Sequence, residues 1–403
     1  MKQDNPTVVC LIIDGVGIKT LEYLLDNSDS EINLPNLMKL GLGNLLNPRF
    51  HNRVSQNTNA QFSYAIQQAS ASADSTIGHR EIVGIIDPNT YQLFYNSFPQ
   101  TFISELEKRI RRKTLFNQMA GGIEAIELNH TEHTRTGSPI VYASKCDPLI
   151  QIATDEDIIS PEEAHKIIDT AFELAMEMKI RITRAISRTY VIKNNQIIRT
   201  SNRYDRVLGL PQPTLIDVLN ENQVATISVG KPAELIPTSW SDKIKLSHYK
   251  QRPELKPFSE KETNPYSIAG TLYALKKAKT LHQPVFIFTN LVDTDSVYGH
   301  SQETQGSLRS LQQTDSCLLL LFEQMKPNDL LIITADHGME YKRGYGYHSI
   351  EPLPFLATRI NPPLQIKPKS LTTLASVGYL VAQTFGCEKQ YSESCDLAAV
   401  FRN

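Results

Sequence analysis

Hydrophobic positions along this chain gather into short uninterrupted runs more often than into alternating stripes. Val8-Val9-Cys10-Leu11-Ile12-Ile13, Pro284-Val285-Phe286-Ile287-Phe288-Thr289 and Leu330-Leu331-Ile332-Ile333-Thr334 are each too short for a helix and rich in β-branched residues. Such runs predict strands buried on both faces, as in a parallel sheet. Between them lie positions with helical spacing. One such segment surrounds Leu21 to Leu25, and another carries Ala164, Ile167, Ile168, Ala171, Phe172 and Ala175. A third runs through Leu308, Leu311, Asp315, Leu318, Leu319, Phe322 and Met325 to Pro327, reading as core packing, and Leu371 to Phe385 forms a last helix ended by Gly386. Ser160-Pro161-Glu162-Glu163 reads as a capping box with Pro at the first helical position. Thr189-Tyr190-Val191-Ile192 and Gln196-Ile197-Ile198-Arg199, joined by Asn194-Asn195, read as a hairpin. The class is α/β, without repeats or low-complexity stretches.

Polar residues follow each strand in a recurring way. The first run delivers Asp14 into Gly15-Val16-Gly17, the second leads through Asn290 and Asp293 to Asp295 and then His300, and the third ends at Asp336-His337-Gly338 with His348 returning after a Gly- and Tyr-rich loop. One Asp-His pair alone reads equally well as a polar turn. Three such strand ends change the balance, because parallel strands finish on one edge of their sheet, where ligands gather. Asp14, Asp295, Asp336, His300, His337 and His348 are more donors than one tetrahedral site uses, and they nearly fill two metal sites. The glycines after Asp14 do not make a dinucleotide fingerprint: the third glycine is missing, and the carboxylate precedes the turn instead of following it by about twenty residues.

The stretch Ala71-Ser72-Ala73-Asp74-Ser75-Thr76-Ile77-Gly78-His79-Arg80-Glu81 reads as a loop entering a helix. Taken alone, Ser75 or Asp74 is first of all a helix cap. A serine at a helix's positive end beside metal ions is also a candidate phosphoryl acceptor. At 403 residues and 40% hydrophobic the chain is long enough for two domains. Its net charge of -2 provides no basic surface for nucleic acid, so anionic ligands must be held by local Arg and Lys. No apolar run matches a membrane span and the N-terminus lacks a signal peptide's apolar core, so a cytoplasmic location and no membrane partner are expected. Cys10, Cys146, Cys317, Cys387 and Cys395 are scattered and odd in number, which reads as reduced thiols.

Four motifs together, LIIDGVGI with LPNLMKLGLGN, ADSTIGHREIVG, FTNLVDTDSVYGH and LIITADHG with its later His, resemble phosphopentomutases of the alkaline phosphatase superfamily. The likeness continues in order through Thr136 to Tyr142, Arg199 to Asp205, Pro213 to Asp217 and Val229-Gly230-Lys231. It implies an alkaline-phosphatase-like core, with a mostly parallel sheet flanked by helices, formed by residues 1–92 and 213–403. An inserted α+β cap over residues 93–212 would contribute the substrate pocket. The resemblance also implies two divalent ions, usually manganese, one held by Asp295, His300 and His348, the other by Asp14, Asp336 and His337. Counting back three residues from Gly78 makes Ser75 the nucleophile, where phosphopentomutases carry Thr, and Thr76 is the fallback. Arg188, Arg203, Lys231 and Ser144 are the implied substrate contacts, and a guanidinium suits a phosphate because its planar fork meets two oxygens.

The implied activity interconverts ribose 1-phosphate, or its 2-deoxy form, with the 5-phosphate through a phosphoenzyme. A sugar bisphosphate is the implied activator, and a monomer is expected. A phosphatase or phosphomutase for another sugar phosphate is the alternative, with a non-catalytic metal-bound protein behind both. Three departures from the family bear on the sugar. The loop after Gly17 is short, Arg80 stands where the family has Trp, and Ser144-Lys145-Cys146-Asp147 replaces Ser-Ala-Asp-Ser.

Overall fold

In the computed structural model, which describes residues 5–28, 33–249, 256–342, 345–364, 372–397 and 400, the chain divides into two units. Residues 1–88 with 210–403 make the first and residues 89–209 the second.

The first unit is built on a seven-stranded sheet. Its spatial order is Asp242–Ile244, Ala225–Val229, Val285–Leu291, Thr7–Ile13, Leu330–Thr334, Leu353–Arg359 and Phe62–Ile66. The first five strands run parallel, Leu353–Arg359 runs against them, and Phe62–Ile66 pairs antiparallel with Leu353–Arg359 at one edge. Every residue of Thr7–Ile13, Val285–Leu291 and Leu330–Thr334 is buried, which explains why these strands appear as unbroken apolar runs. Their side chains alternate between two cores. Val9, Leu11 and Ile13 face one with helices Asn264–Ala278 and Thr304–Gln324, while Val8, Cys10 and Ile12 face the other with helices Leu215–Glu221 and Ala375–Thr384.

Two expectations change on this side. Leu319 is 52% exposed: it follows Leu318 by one residue, a rotation of about 100° that takes it off the buried face. In the same helix, Asp315 is buried because it accepts hydrogen bonds from the backbone N–H of Asn36 and Leu37, pinning the short helix Pro35–Lys39. The helix expected to be last spans Ala375–Thr384, with Leu371 outside the described residues, and a further helix, Glu388–Ser394, follows it.

The second unit has a six-stranded sheet in the order Leu115–Met119, Ile140–Ala143, Leu149–Asp155, Arg184–Lys193, Gln196–Arg199, with Tyr204–Val207 also pairing with Arg184–Lys193. Helices Gln100–Ile110 and Pro161–Glu177 pack one face, and Gly122–Thr136 the other. Asn194 and Asn195 both take positive φ, 51° and 60°, as a tight hairpin turn demands. Ser160 accepts from the Glu163 N–H as a helix cap, but the Glu163 carboxylate goes to Arg112 at 2.8 Å, so that carboxylate serves a tertiary ion pair.

Candidate metal centre

Strand register brings the candidate ligands together. Ile13 pairs with Leu291 and Ile12 with Thr334, so Asp14, the Asp293–Val297 turn and Asp336-His337 leave the sheet at one level. The Asp14 N–H donates to the Leu291 carbonyl and the Thr294 hydroxyl to the Asp14 carbonyl, at 3.0 and 2.7 Å. His348 arrives on the hairpin Gly338–Lys342 with Tyr345–Ser349, opposite Met339. Gly15 has a φ of 75°, and a Cβ there would come within 3.2 Å of the Asp295 Cβ, so the first strand end requires glycine to approach the second.

Two clusters result. Asp14, Asp336 and His337 are buried with donor atoms within 4.8 Å of one another, and Asp295, His300 and His348 meet the same limit. Nε2 of His337 lies 3.2 Å from Asp14 Oδ1, while Nε2 of His300 and of His348 lie 3.3 and 3.2 Å from Asp295 Oδ1. The rings of His337 and His348 are 4.1 Å apart, centroid to centroid, so the clusters are neighbours. His337 turns Nδ1 to the Gly338 carbonyl and His300 turns Nδ1 to the Gly346 carbonyl, which directs each Nε2 toward the carboxylates. That is the arrangement metal-binding histidines need from their surroundings.

The electrostatics call for cations. Burial pushes the His337 pKa down, yet Asp336, Asp14 and Asp295 overcome it and raise it to about 10. Burial likewise works against the charged form of Asp14, but Lys231 and His337 hold it well below the usual carboxylate range. Asp295 falls to about 2 against its own desolvation, mainly through His300. Buried Asp295 Oδ1 and Asp336 Oδ2 receive no hydrogen bond. A field that loads a buried imidazole with a proton, together with carboxylate oxygens that have only imidazole nitrogens beside them and accept no well-aligned hydrogen bond, fits bound divalent ions.

Ser75 sits against this cluster. Its Oγ is 3.3 Å from Asp14 Oδ1, 3.3 Å from His337 Nε2 and 3.0 Å from Lys231 Nζ, and Lys231 also reaches Asp14 Oδ2 at 3.4 Å. Capping of helix Ser75–Ile82 falls to Asp74, whose Oδ1 accepts from the Thr76 N–H at 2.7 Å. The Ser75 hydroxyl is thereby released from the capping role it shared with Asp74 in the sequence. Thr76 is buried, and its hydroxyl meets no hydrogen-bonding partner. A Cβ on Gly78 would fall 2.1 Å from the Asp336 carbonyl oxygen, so this helix lies directly on the strand end that carries Asp336. Lys231, grouped in the sequence with the cap arginines, lies in the first unit after strand Ala225–Val229. Asn290 was not singled out in the sequence: its Nδ2 donates to Asp14 Oδ2 at 2.8 Å, and only strand register reveals it.

Ser144, Arg188 and Arg203 belong to the second unit. Ser144 donates to Asp147 Oδ2 at 3.1 Å, and Asp147 also faces Arg184 at 3.6 Å. Arg203 makes a two-pronged pair with Asp205, at 2.6 and 2.5 Å. Arg188 donates to Gln151 Oε1 at 3.1 Å, and its pKa is pushed down to about 10 by burial and then by Arg203 and Arg199. Arg199, which the sequence offered as the end of a strand and the start of a matched stretch but not as a substrate contact, thus joins an arginine cluster. A Cβ on Gly122 would meet its Nη2 at 2.2 Å, which places its guanidinium at the start of helix Gly122–Thr136.

A family model described as the metalloenzyme superfamily matches residues 6–389. Phosphopentomutase of Pseudothermotoga lettingae is 32% identical over 399 residues, covering 95% of this chain and 96% of its own. That of Caldanaerobacter subterraneus subsp. tengcongensis is 33% identical, covering 87% and 86%, and that of Thermotoga petrophila 32%, covering 94% and 95%.

Proposed function

From the premise that this chain belongs to the phosphopentomutase family within the metalloenzyme superfamily, we propose that it interconverts ribose 1-phosphate, or 2-deoxyribose 1-phosphate, with the 5-phosphate through a phosphoserine at Ser75. It is an isomerase acting on a small sugar phosphate. The observation that carries the phosphoserine is the Ser75 hydroxyl, held 3.3 Å from both Asp14 and His337 and 3.0 Å from the Lys231 ammonium at the start of a helix.

Asp14, Asp336 and His337 would hold one divalent ion and Asp295, His300 and His348 the other, manganese being the proposed metal. Bound there, the ions neutralise the charge of the phosphoryl group in transfer. The chain's own groups do the rest. Lys231 offsets negative charge at the serine oxygen, and the first N–H groups of helix Ser75–Ile82 add their partial positive charge. In the first half-reaction the Oγ–P bond breaks as a sugar hydroxyl oxygen bonds to phosphorus and loses its proton, which gives a sugar bisphosphate. In the second, the other phosphate returns to Ser75 and its sugar oxygen regains a proton. A sugar bisphosphate therefore primes an unphosphorylated enzyme. Arg188, Arg203 and Ser144 are proposed contacts for the sugar phosphate, supported by the guanidinium cluster around Arg188.

Among the described residues no helix is long and apolar enough to cross a membrane, and a cytoplasmic monomer is the proposed state. The test is incubation of the manganese-loaded protein with ribose 1-phosphate. Formation of the 5-phosphate without free phosphate is expected. Steady phosphate release would instead make it a phosphatase, and no change in either sugar would exclude pentose phosphates as substrates.

A further inference from the structure

His79 is a fully buried histidine that the proposed chemistry does not use. It lies four residues after Ser75 in helix Ser75–Ile82, on the same face one turn along. Its Nδ1 is 2.8 Å from the Ser75 carbonyl oxygen and 3.1 Å from Asp336 Oδ2. Both neighbours are acceptors, so Nδ1 carries a proton. The hydrogen bond itself goes to the carbonyl, and the carboxylate oxygen sits beside that N–H, off its axis. Nε2 is buried without a hydrogen-bond partner, and the ring stacks on Phe288 with centroids 5.7 Å apart. Sealed in this way, Nε2 has no route to substrate, so what the residue contributes comes from Nδ1.

Asp336 explains what that contribution is. Its Oδ1 takes the Gly15 and His337 N–H groups at 3.2 and 3.1 Å, which fixes one side of the carboxylate. Oδ2 has the His79 ring N–H at 3.1 Å and His337 Nε2 at 3.7 Å as its polar neighbours. One imidazole therefore touches both the backbone of the nucleophile and the oxygen of the candidate ligand that is left for a cation.

We propose that His79 is a positioning residue: as the Nδ1–H tautomer it holds Asp336 Oδ2 toward the metal and the Ser75 turn at a fixed distance from it. This rests on Asp336 being a metal ligand and Ser75 the phosphoryl acceptor. The test compares His79→Phe, which keeps the ring and removes the donor, with His79→Asn, whose side-chain N–H starts from the same Cγ as Nδ1. Manganese affinity of the metal-free proteins is measured by calorimetry, and thermal melts confirm that each is folded. His79→Phe should bind manganese about 10- to 100-fold more weakly, the usual effect of losing a group that orients a ligand, and His79→Asn should recover most of that loss. Mass spectrometry after exposure to a sugar bisphosphate should show less phosphoserine in the Phe variant than in the Asn variant. Wild-type affinity in His79→Phe, or equal weakening in both variants, would overturn the proposal and leave His79 a packing residue. The metal titration needs no sugar, so if the wild type binds manganese but leaves pentose phosphates unchanged, the proposed function fails and the His79 result still stands.

Discussion

At the scale of single residues, the sharpest question is which of two adjacent hydroxyls accepts the phosphoryl group. Ser75 Oγ has Asp14, His337 and Lys231 within 3.4 Å, whereas Thr76 spends its N–H on the Asp74 cap and turns its hydroxyl to a buried place without partners. In-line transfer needs the accepting oxygen about 3–3.5 Å from phosphorus, a tolerance that one helical step exceeds. Ser75→Ala should abolish both the phosphoenzyme and turnover, while Thr76→Ala should keep a phosphorylated protein with most of its activity. Locating the phosphate by mass spectrometry after treatment with a sugar bisphosphate decides it, and a modified Thr76 beside an unmodified Ser75 would reverse the assignment. Most of the acidic and imidazole residues were legible because they follow a strand or a glycine, while His348 lies inside the strand Tyr345–Ser349. Asn290 was not, since an amide inside an apolar strand is defined by its neighbour across the sheet, and His79 was not, since nothing in its spacing tells which ring nitrogen meets Asp336.

At the scale of elements, the central parallel strands were readable because both faces are covered, so that apolar positions follow one another with few polar breaks. The antiparallel edge was not. Phe62–Ile66 buries its two ends and exposes Tyr64 and Ala65 in its middle, a pattern with no clean period. A buried histidine in the second unit gives an element-scale prediction. His133 closes helix Gly122–Thr136, with Nδ1 2.7 Å from the Ser138 carbonyl and Nε2 accepting the Asp155 N–H at 2.9 Å. Only the neutral ring satisfies both bonds. Burial lowers its pKa, helped by His130 and Arg112 and opposed by Asp155. With the folded pKa below the unfolded value of about 6.5, the unfolded chain takes up the proton first. Stability is then complete above that value and falls as pH drops beneath it, by at most about 1.4 kcal/mol per pH unit for one group. Urea unfolding of the whole protein between pH 7.5 and 5.5 should show this decline. It should be shallower in His133→Gln, and an unchanged slope in that variant would remove His133 as its source.

At the scale of the whole molecule, residues from Asp14 to His348 meet at one edge of the first unit's sheet, and three of them are buried carboxylates. Without cations these carboxylates repel one another, and among the described residues Lys231, N–H donors such as that of Asn290, and protons on imidazoles such as His337, whose pKa rises to about 10 in their field, relieve them. The fold thus keeps at its centre a charge arrangement that works against its own stability. Retaining it follows if cations are part of the folded state, because a ligand that binds only the native form stabilises it by mass action, about 2.7 kcal/mol per site at one hundred times its dissociation constant. For a unit of this size each kcal/mol moves the melting temperature by about 2–4 °C, so one filled site should raise it on the order of 5–10 °C and two should raise it further. Calorimetric scans of the whole protein in excess chelator and in excess manganese measure the shift. Calcium, which favours more oxygen ligands and longer bonds than an Asp-His-His set offers, should raise the melting temperature less. Equal melting temperatures in chelator and manganese would mean that no ion binds there, and the buried carboxylates would need another source of compensation.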